Sequence, residues 1–402
     1  MRDEHARSYV HRRVTEKFLN WLLTSKLAQT EDLYDGLLSD YDYESEIAFD
    51  KFTRKPTQRL LLDVEKDSEI RRAEIRQREQ ELRGIGQQLL SEKMRAHITQ
   101  QTSNFSYVKN NLLAISPEYL DAIQELSNSF GSIRRLSSIL STTDELSDNL
   151  LRLVNSPEFC MTTKRPPKKI MDLTAACGLI GMDGLRFLVP GIFLKNRLKS
   201  ECEHFPLLSQ KIWSYYVTSS NAARHRLVPH NCNTRDELTA MVTGAIVCMG
   251  MVALHKQFNL SFEFSKRALL EELRAKRKNI LYHAVLDVTP SPMVLRELLE
   301  SSSMRIVNNV ATQCDWGHKG KVRQAVVEHA NDKKSQERSI HGLAVGQGST
   351  YAMWFLLSNA NLLKSSPKLE KLAMSHVRLP MSCVEDLKAK SVNKLVMGDY
   401  IG

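Results

Sequence analysis

Hydrophobic residues recur every three or four positions along most of the chain. In residues 8–28 the apolar positions Val10, Val14, Phe18 and Trp21 follow helical spacing, while charged residues occupy the other faces. This pattern predicts an amphipathic helix that needs a partner for its apolar face, either within the chain or on another molecule.

A second pattern extends from about residue 59 to residue 101. It is rich in strong helix formers and contains charge pairs at i,i+4 spacing, such as Glu74 and Arg78. We expect a long, solvated helix here. Each glycine in a helix interior costs up to about 1 kcal/mol, so Gly84 and Gly86 are predicted to bend or break it.

The segment between these two patterns is acidic. Residues 31–50 contain eight carboxylates and no lysine or arginine, with three tyrosines interleaved. We interpret it as an acidic connector whose charge is opposite to that of the rest of the chain.

From residue 115 onward one helical pattern follows another, and no convincing period-2 run or hairpin dipeptide is found. The fold is therefore predicted to be all-α. A single core stops growing at roughly 250 to 300 residues, so 402 residues predict more than one unit. We divide the chain into a helical N-terminal region (1–105), a multi-helix domain (106–331) and a helical C-terminal extension (332–402).

Composition narrows the class of protein. The 42% hydrophobic content is ordinary for a globular chain, and no run approaches the roughly 20 apolar residues of a membrane span. The chain opens on polar residues without a signal sequence, which predicts a cytoplasmic protein. Seven cysteines without a C-x-x-C pair argue against a disulfide framework and a zinc ribbon.

The net charge of +10 is unevenly distributed, because the first 100 residues hold 18 basic and 19 acidic side chains, leaving 38 and 27 for the rest. Basic clusters occur at 164–169, 195–199, 274–278 and 319–323. A basic surface attracts nucleic acid, anionic nucleotides or acidic proteins without choosing among them, and a merely soluble surface is the alternative.

Two sequence motifs carry a family resemblance. The first runs from Leu150 to Pro157 and the second from Ala176 to Gly181, with a basic loop between them. Together they resemble the signature of the HDOD family, the HD-related output domain of bacterial signalling proteins. The resemblance implies an all-α, multi-helix bundle related to the HD phosphohydrolase body. In the first motif, Asn155 and Ser156 are expected to satisfy backbone groups at a helix end rather than to bind a ligand.

The resemblance continues more loosely to residue 331. Trp213 lies in a segment similar to one helix of the family, and Trp316 and His329 fit the pattern of its closing helices. We count these residues, together with Asn155, Ser156 and Gly181, as markers of the fold. A lone histidine such as His329 is more often structural than a metal ligand.

The same resemblance implies that the metal ligands of the HD enzymes are replaced in this chain. Tyr215 stands where metal-binding relatives have a histidine, and Val247 and Cys248 replace their His-Asp pair. A hydrolytic metal needs imidazole and carboxylate ligands to lower the pKa of its bound water. The resemblance therefore implies a protein that is not an enzyme and has no metal, catalytic residue or cofactor.

Two other constellations are weaker. His225, His230 and Cys232 lie close together, but their spacing matches no standard zinc pattern, which favours an ordinary loop. Residues 342–350 combine three glycines with a Ser-Thr pair, yet they lack the lysine of a P-loop. We predict a flexible turn there, opening a helix over 351–363.

These observations lead to a hypothesis of a non-catalytic signalling adaptor that acts through protein-protein contacts. The candidate contacts are the apolar face of residues 8–28, which would also serve in a homodimer, and the basic loop with Lys164, Arg165, Lys168 and Lys169. The alternative is nucleic-acid or nucleotide binding by the basic body. A metal-dependent phosphohydrolase is a third hypothesis, but it needs ligands that the matching positions lack.

Overall fold

The computed structural model describes residues 2–24, 27–28, 63–166, 168–199, 204–230, 232–317, 320–363 and 366–394. The acidic connector at 31–50 lies outside the described residues. Within them the chain is all-α and contains no strand, as the sequence pattern predicted.

The described residues form sixteen α-helices. In chain order they are α1 Arg2–Leu23, α2 Asp63–Ser103, α3 Phe105–Tyr107, α4 Pro117–Ser127, α5 Ile133–Ser141, α6 Asp144–Val154, α7 Pro157–Thr162, α8 Leu173–Arg197, α9 Leu208–Leu227, α10 Thr234–Ala275, α11 Asn279–Leu286, α12 Pro292–Gln313, α13 Lys321–Ala330, α14 Ile340–Asn359, α15 Pro367–His376 and α16 Met381–Ala389.

The helices form two compact units. Unit 1 contains residues 1–31, 98–259 and 295–402, and unit 2 contains residues 32–97 and 260–294. The first helix of the chain is thus part of the same unit as the last ones.

The apolar face of α1 lies inside unit 1. Val10 and Val14 are fully buried, Phe18 and Trp21 retain 3% and 8% exposure, and the helix packs mainly on α15, with further contacts to α14 and α9. The Phe18 ring lies 4.9 Å from that of Tyr215. The face that the sequence offered as a docking surface is therefore occupied by helices of the same chain.

The glycine-rich segment is also part of the core of unit 1. Residues 340–359 form one continuous helix, α14, so the predicted turn at 342–350 is wrong. The glycines bring α14 against α9: a Cβ on Gly348 would lie 2.8 Å from the backbone nitrogen of Ala223 and closer still to the carbonyl oxygen of Ser219. Here glycine serves close helix packing rather than chain reversal.

Unit 2 pairs the second half of α2 with residues 260–294. Lys93 forms an ion pair with Glu272 at 2.7 Å. The predicted break at Gly84 or Gly86 is wrong, because α2 runs through both residues. The missing side chain of Gly86 instead admits Val285, whose Cγ2 would lie 2.9 Å from a Cβ there.

Two helices are long and apolar enough to cross a membrane by length and composition alone, although the sequence showed no continuous apolar run. They are α8 and α10, and 61% and 100% of their most apolar windows are buried inside the fold. Core helices of a globular protein pass the same test, so this feature is weak evidence for a membrane span.

Candidate functional site: the basic loop of the helical domain

The three positions that the family resemblance matches to the metal site of HD enzymes are buried inside the fold. Tyr215, Val247 and Cys248 retain 4%, 2% and 0% exposure. Burial raises the pKa of the Cys248 thiol and of the Tyr215 hydroxyl well above their ordinary values, so both groups stay neutral. In the part of the chain that the structure describes, no group of three or more His, Cys, Asp or Glu side chains is placed to hold a metal ion.

The candidate loop site at 225–232 forms no such group either. Cys232 is half-buried, and its Sγ lies 3.9 Å from the carbonyl oxygen of His230. Burial raises the pKa of the Cys232 thiol. These contacts are those of an ordinary loop.

One charged cluster was not visible in the sequence. Asp236, at the start of α10, accepts hydrogen bonds from Lys321 Nζ at 2.6 Å and from His341 Nε2 at 3.0 Å. Burial alone would raise the pKa of Asp236, but the bonds from Lys321 and His341 outweigh it and lower that pKa to about 2. The cluster ties α10 to α13 and α14, and its mixed charges are already paired.

The Asn155 side chain hydrogen-bonds to backbone groups at both ends of the basic loop. Its Nδ2 donates to the carbonyl oxygens of Leu151 and Ile170, both at 2.8 Å, and its Oδ1 accepts from the Ile170 backbone N–H at 2.7 Å. Ser156 does not end α6 but caps the next helix, α7, by accepting from the Phe159 N–H at 3.2 Å, because Pro157 starts that helix. Both side chains serve backbone groups.

Arg165 has a different place from the one the sequence suggested. Its Nη2 donates to the carbonyl oxygen of Val154 at 2.9 Å and lies 3.4 Å from that of Lys168. The guanidinium therefore organises the loop from within and is not presented to a partner.

The remaining residues of the loop define an exposed surface. Lys164, Lys168 and Lys169 are all exposed. They are flanked by Met161 and Met171, which are 71% and 72% exposed. We call these five residues the loop surface. It combines three positive charges with two flexible apolar side chains on a hydrogen-bonded scaffold.

Replacing Asn155 with alanine is expected to loosen this loop. Three hydrogen bonds to backbone groups are lost, which lowers the free energy of unfolding by about 2 kcal/mol and exposes the lysines to trypsin. Urea denaturation and the rate of limited trypsin cleavage measure both effects. Asn149→Ala, which lies in α6 and makes no hydrogen bond to the loop, is the control. An unchanged cleavage rate in the Asn155 variant would contradict the role of these hydrogen bonds in holding the loop.

The other marker residues are structural. The φ of Gly181 is 73° inside α8, where the helix kinks. Trp316 is buried and donates from Nε1 to the carbonyl oxygen of Val310 at 3.0 Å, and Trp213 packs 5.4 Å from Tyr216. Burial, followed by the positive charge of Arg338, lowers the pKa of His329 to about 4.

Comparison with known families agrees with this architecture. The family model of the HDOD domain matches residues 113–281, which include the loop surface and positions 215, 247 and 248. Residues 113–281 therefore form an HDOD domain, as the two sequence motifs indicated.

Among solved structures, the chain is similar to the crystal structure of an HDOD domain protein with unknown function from Geobacter sulfurreducens. The two share 14% sequence identity with a TM-score of 0.45, over 76% of this chain and 97% of that one. No curated protein matches this chain.

Proposed function

We propose that this protein is a non-catalytic adaptor whose HDOD domain binds a protein partner through the loop surface. The observation that carries the proposal is the arrangement of that surface. Asn155 and Arg165 fix the loop from within, and three lysines and two methionines are left exposed on it. A binding site gains from such preorganisation, because less conformational entropy is lost on association.

The chemistry of the loop surface favours an acidic partner segment with apolar side chains. Lysine charges steer an acidic surface toward the site, and methionine adapts its shape to apolar groups. Residues 160–172 contain no aromatic side chain on which a nucleic-acid base could stack. This composition supports a protein partner over single-stranded nucleic acid.

The buried side chains at the three matched positions support the non-catalytic part of the proposal. A hydrolytic metal would need ligands at positions 215, 247 and 248, and these hold a phenol, an aliphatic side chain and a neutral thiol. Phosphodiesterase activity that depends on added Mg²⁺ or Mn²⁺ and disappears with a chelator would overturn this part.

We also place the protein in the cytoplasm. Its six described cysteines carry free thiols, as is usual in a reducing compartment. Fractionation of the native cells tests this assignment, and recovery in the membrane pellet after a salt wash would contradict it.

The test of the docking role uses point variants of the full chain. Deleting residues 1–105 would remove the α1 side chains that fill the core of unit 1, so truncation does not isolate a docking function. The triple variant K164E/K168E/K169E is expected to weaken partner capture about tenfold, at roughly 0.5 kcal/mol for each exposed charge. The matched control, K368E/K371E/K390E, reverses three exposed lysines elsewhere in unit 1.

Quantitative pull-down from the native cytoplasm, with partners identified by mass spectrometry, measures the effect. Equal recovery of every partner by both triple variants would sink the proposed docking role. Salt-dependent binding of bulk nucleic acid that is abolished only in the loop variant would show that the loop surface binds nucleic acid instead of a protein partner.

A further inference from the structure

Residues 71 to 85 of α2 form an exposed segment of that helix. Every described side chain from 71 to 85 is exposed except Leu82, which is half-buried. Ile75 and Ile85 keep 58% and 50% exposure, although aliphatic side chains of this size are usually buried. Gly86, the next residue, lies in close contact with Val285.

Three apolar residues and one arginine of this segment follow the spacing of a helix-helix seam. Ile75, Arg78, Leu82 and Ile85 are separated by three, four and three positions, which is the 3.5-residue repeat of coiled coils. We call these four residues the α2 stripe. The repeat keeps the stripe along one side of the helix, where a second helix would cover it.

We propose that the α2 stripe binds the same stripe of a second copy of this chain, with the two helices antiparallel and a two-fold axis near residue 80. In this register Ile75 faces Ile85 of the second copy, and Arg78 faces Leu82. The aliphatic stem of Arg78 covers Leu82 of the second copy. The guanidinium of Arg78 reaches Glu79 or Glu81, which lie beside that leucine on the second copy. Each contact occurs twice, as a two-fold interface requires.

The distribution of charge along α2 favours a second copy of this chain as the partner and an antiparallel direction of the two helices. The helix starts with Asp63, Glu65, Asp67 and Glu69 and only one lysine. Lys93 lies 26 positions after Asp67, about 39 Å along the helix. The proposed register places Asp67 of one copy opposite Lys93 of the other.

The basic end of this arrangement is observed in unit 2. Lys93 and Lys276 both bind Glu272, at 2.7 and 2.6 Å, so the three side chains together carry one positive charge. An antiparallel pair places an acidic helix start beside each of these clusters, at both ends of the apolar stripe. A parallel pair would instead bring the two acidic starts together, which like-charge repulsion disfavours.

The association state of the full chain tests the proposal. The wild type is expected to sediment with twice the 45.9 kDa chain mass, and the double variant I75E/I85E as a monomer. Both side chains are exposed, so the substitutions leave the fold intact, which circular dichroism checks. The matched control is F130E/V228E, which replaces two exposed apolar residues of unit 1 and is expected to remain a dimer.

Cysteine cross-linking tests the register. Ile75→Cys and Ile85→Cys chains are mixed, oxidised and compared with each chain alone and with the wild type, which reports cross-links from native cysteines. A disulfide-linked pair that forms only in the mixture supports the antiparallel register. Cross-linking of Ile75→Cys chains alone would overturn it, and so would a wild-type chain that stays monomeric or whose stripe captures a different protein.

Discussion

A Gly348→Ala variant is expected to lose about 3 kcal/mol of unfolding free energy. The added Cβ would lie 2.8 Å from the backbone nitrogen of Ala223 and closer still to the carbonyl oxygen of Ser219. Both atoms belong to the α9 backbone, so relief requires moving a whole helix. The strain is expected to exceed the gain of up to about 1 kcal/mol that alanine brings to a helix interior.

Gly178→Ala is the matched control, because a Cβ at this helical glycine meets nothing within 4 Å. It is expected to leave stability unchanged or to raise it slightly. Urea denaturation of both variants measures the difference. Equal stability of the two variants would show that α9 and α14 can separate without cost, contrary to the close packing described for unit 1.

Acidification from pH 7 to pH 5 is expected to lower the free energy of unfolding by about 4 kcal/mol through His11 and His329 together. Burial, with smaller repulsion from neighbouring cations, lowers the pKa of His11 to about 3 and that of His329 to about 4. The His11 ring stacks on that of His376 at 4.4 Å, and Arg338 repels a proton on any of the three.

The sign follows from the direction of these shifts. The unfolded chain binds protons as the pH falls through about 6.5, whereas the folded histidines bind them only near pH 3 to 4, so stability is full above 6.5 and declines below it. The salt-bridged Asp236, whose pKa is lowered to about 2, loses its contribution only at lower pH.

Urea denaturation at pH 7 and pH 5 measures the effect. A His11→Gln variant is expected to recover about 2 kcal/mol of the difference between the two pH values. His283→Gln, which replaces an exposed histidine, is the control and should keep the full difference. A pH difference that survives unchanged in the His11 variant would assign the acid sensitivity to other groups.

Much of the fold could be predicted from local signals. Helical periodicity and the near absence of strand patterns predicted an all-α chain, and Ser116 with Pro117 located the start of α4. The motifs around Asn155 and Gly181 predicted the HDOD domain, because they encode a loop clamp and a helix kink that depend on nearby residues.

Residues that are compatible with two structural roles were assigned the wrong one from the sequence. Glycine permits both a turn and a close helix contact, so the sequence could not show that Gly348 meets α9 or that Gly86 meets Val285. Arg165 likewise counts as a surface charge in the sequence, while its guanidinium binds the carbonyl oxygen of Val154.

The sequence by itself determined the helices and the family of the central domain. Only the tertiary structure decided which surfaces are free, because it buries the apolar face of α1 and leaves the lysines of the loop surface exposed. It also decided which charges pair, since Asp236 meets Lys321 and His341 across 85 and 105 positions of the chain. The physical reason is that helix periodicity depends on neighbouring residues, whereas burial and charge pairing depend on helices that the chain brings together from distant positions.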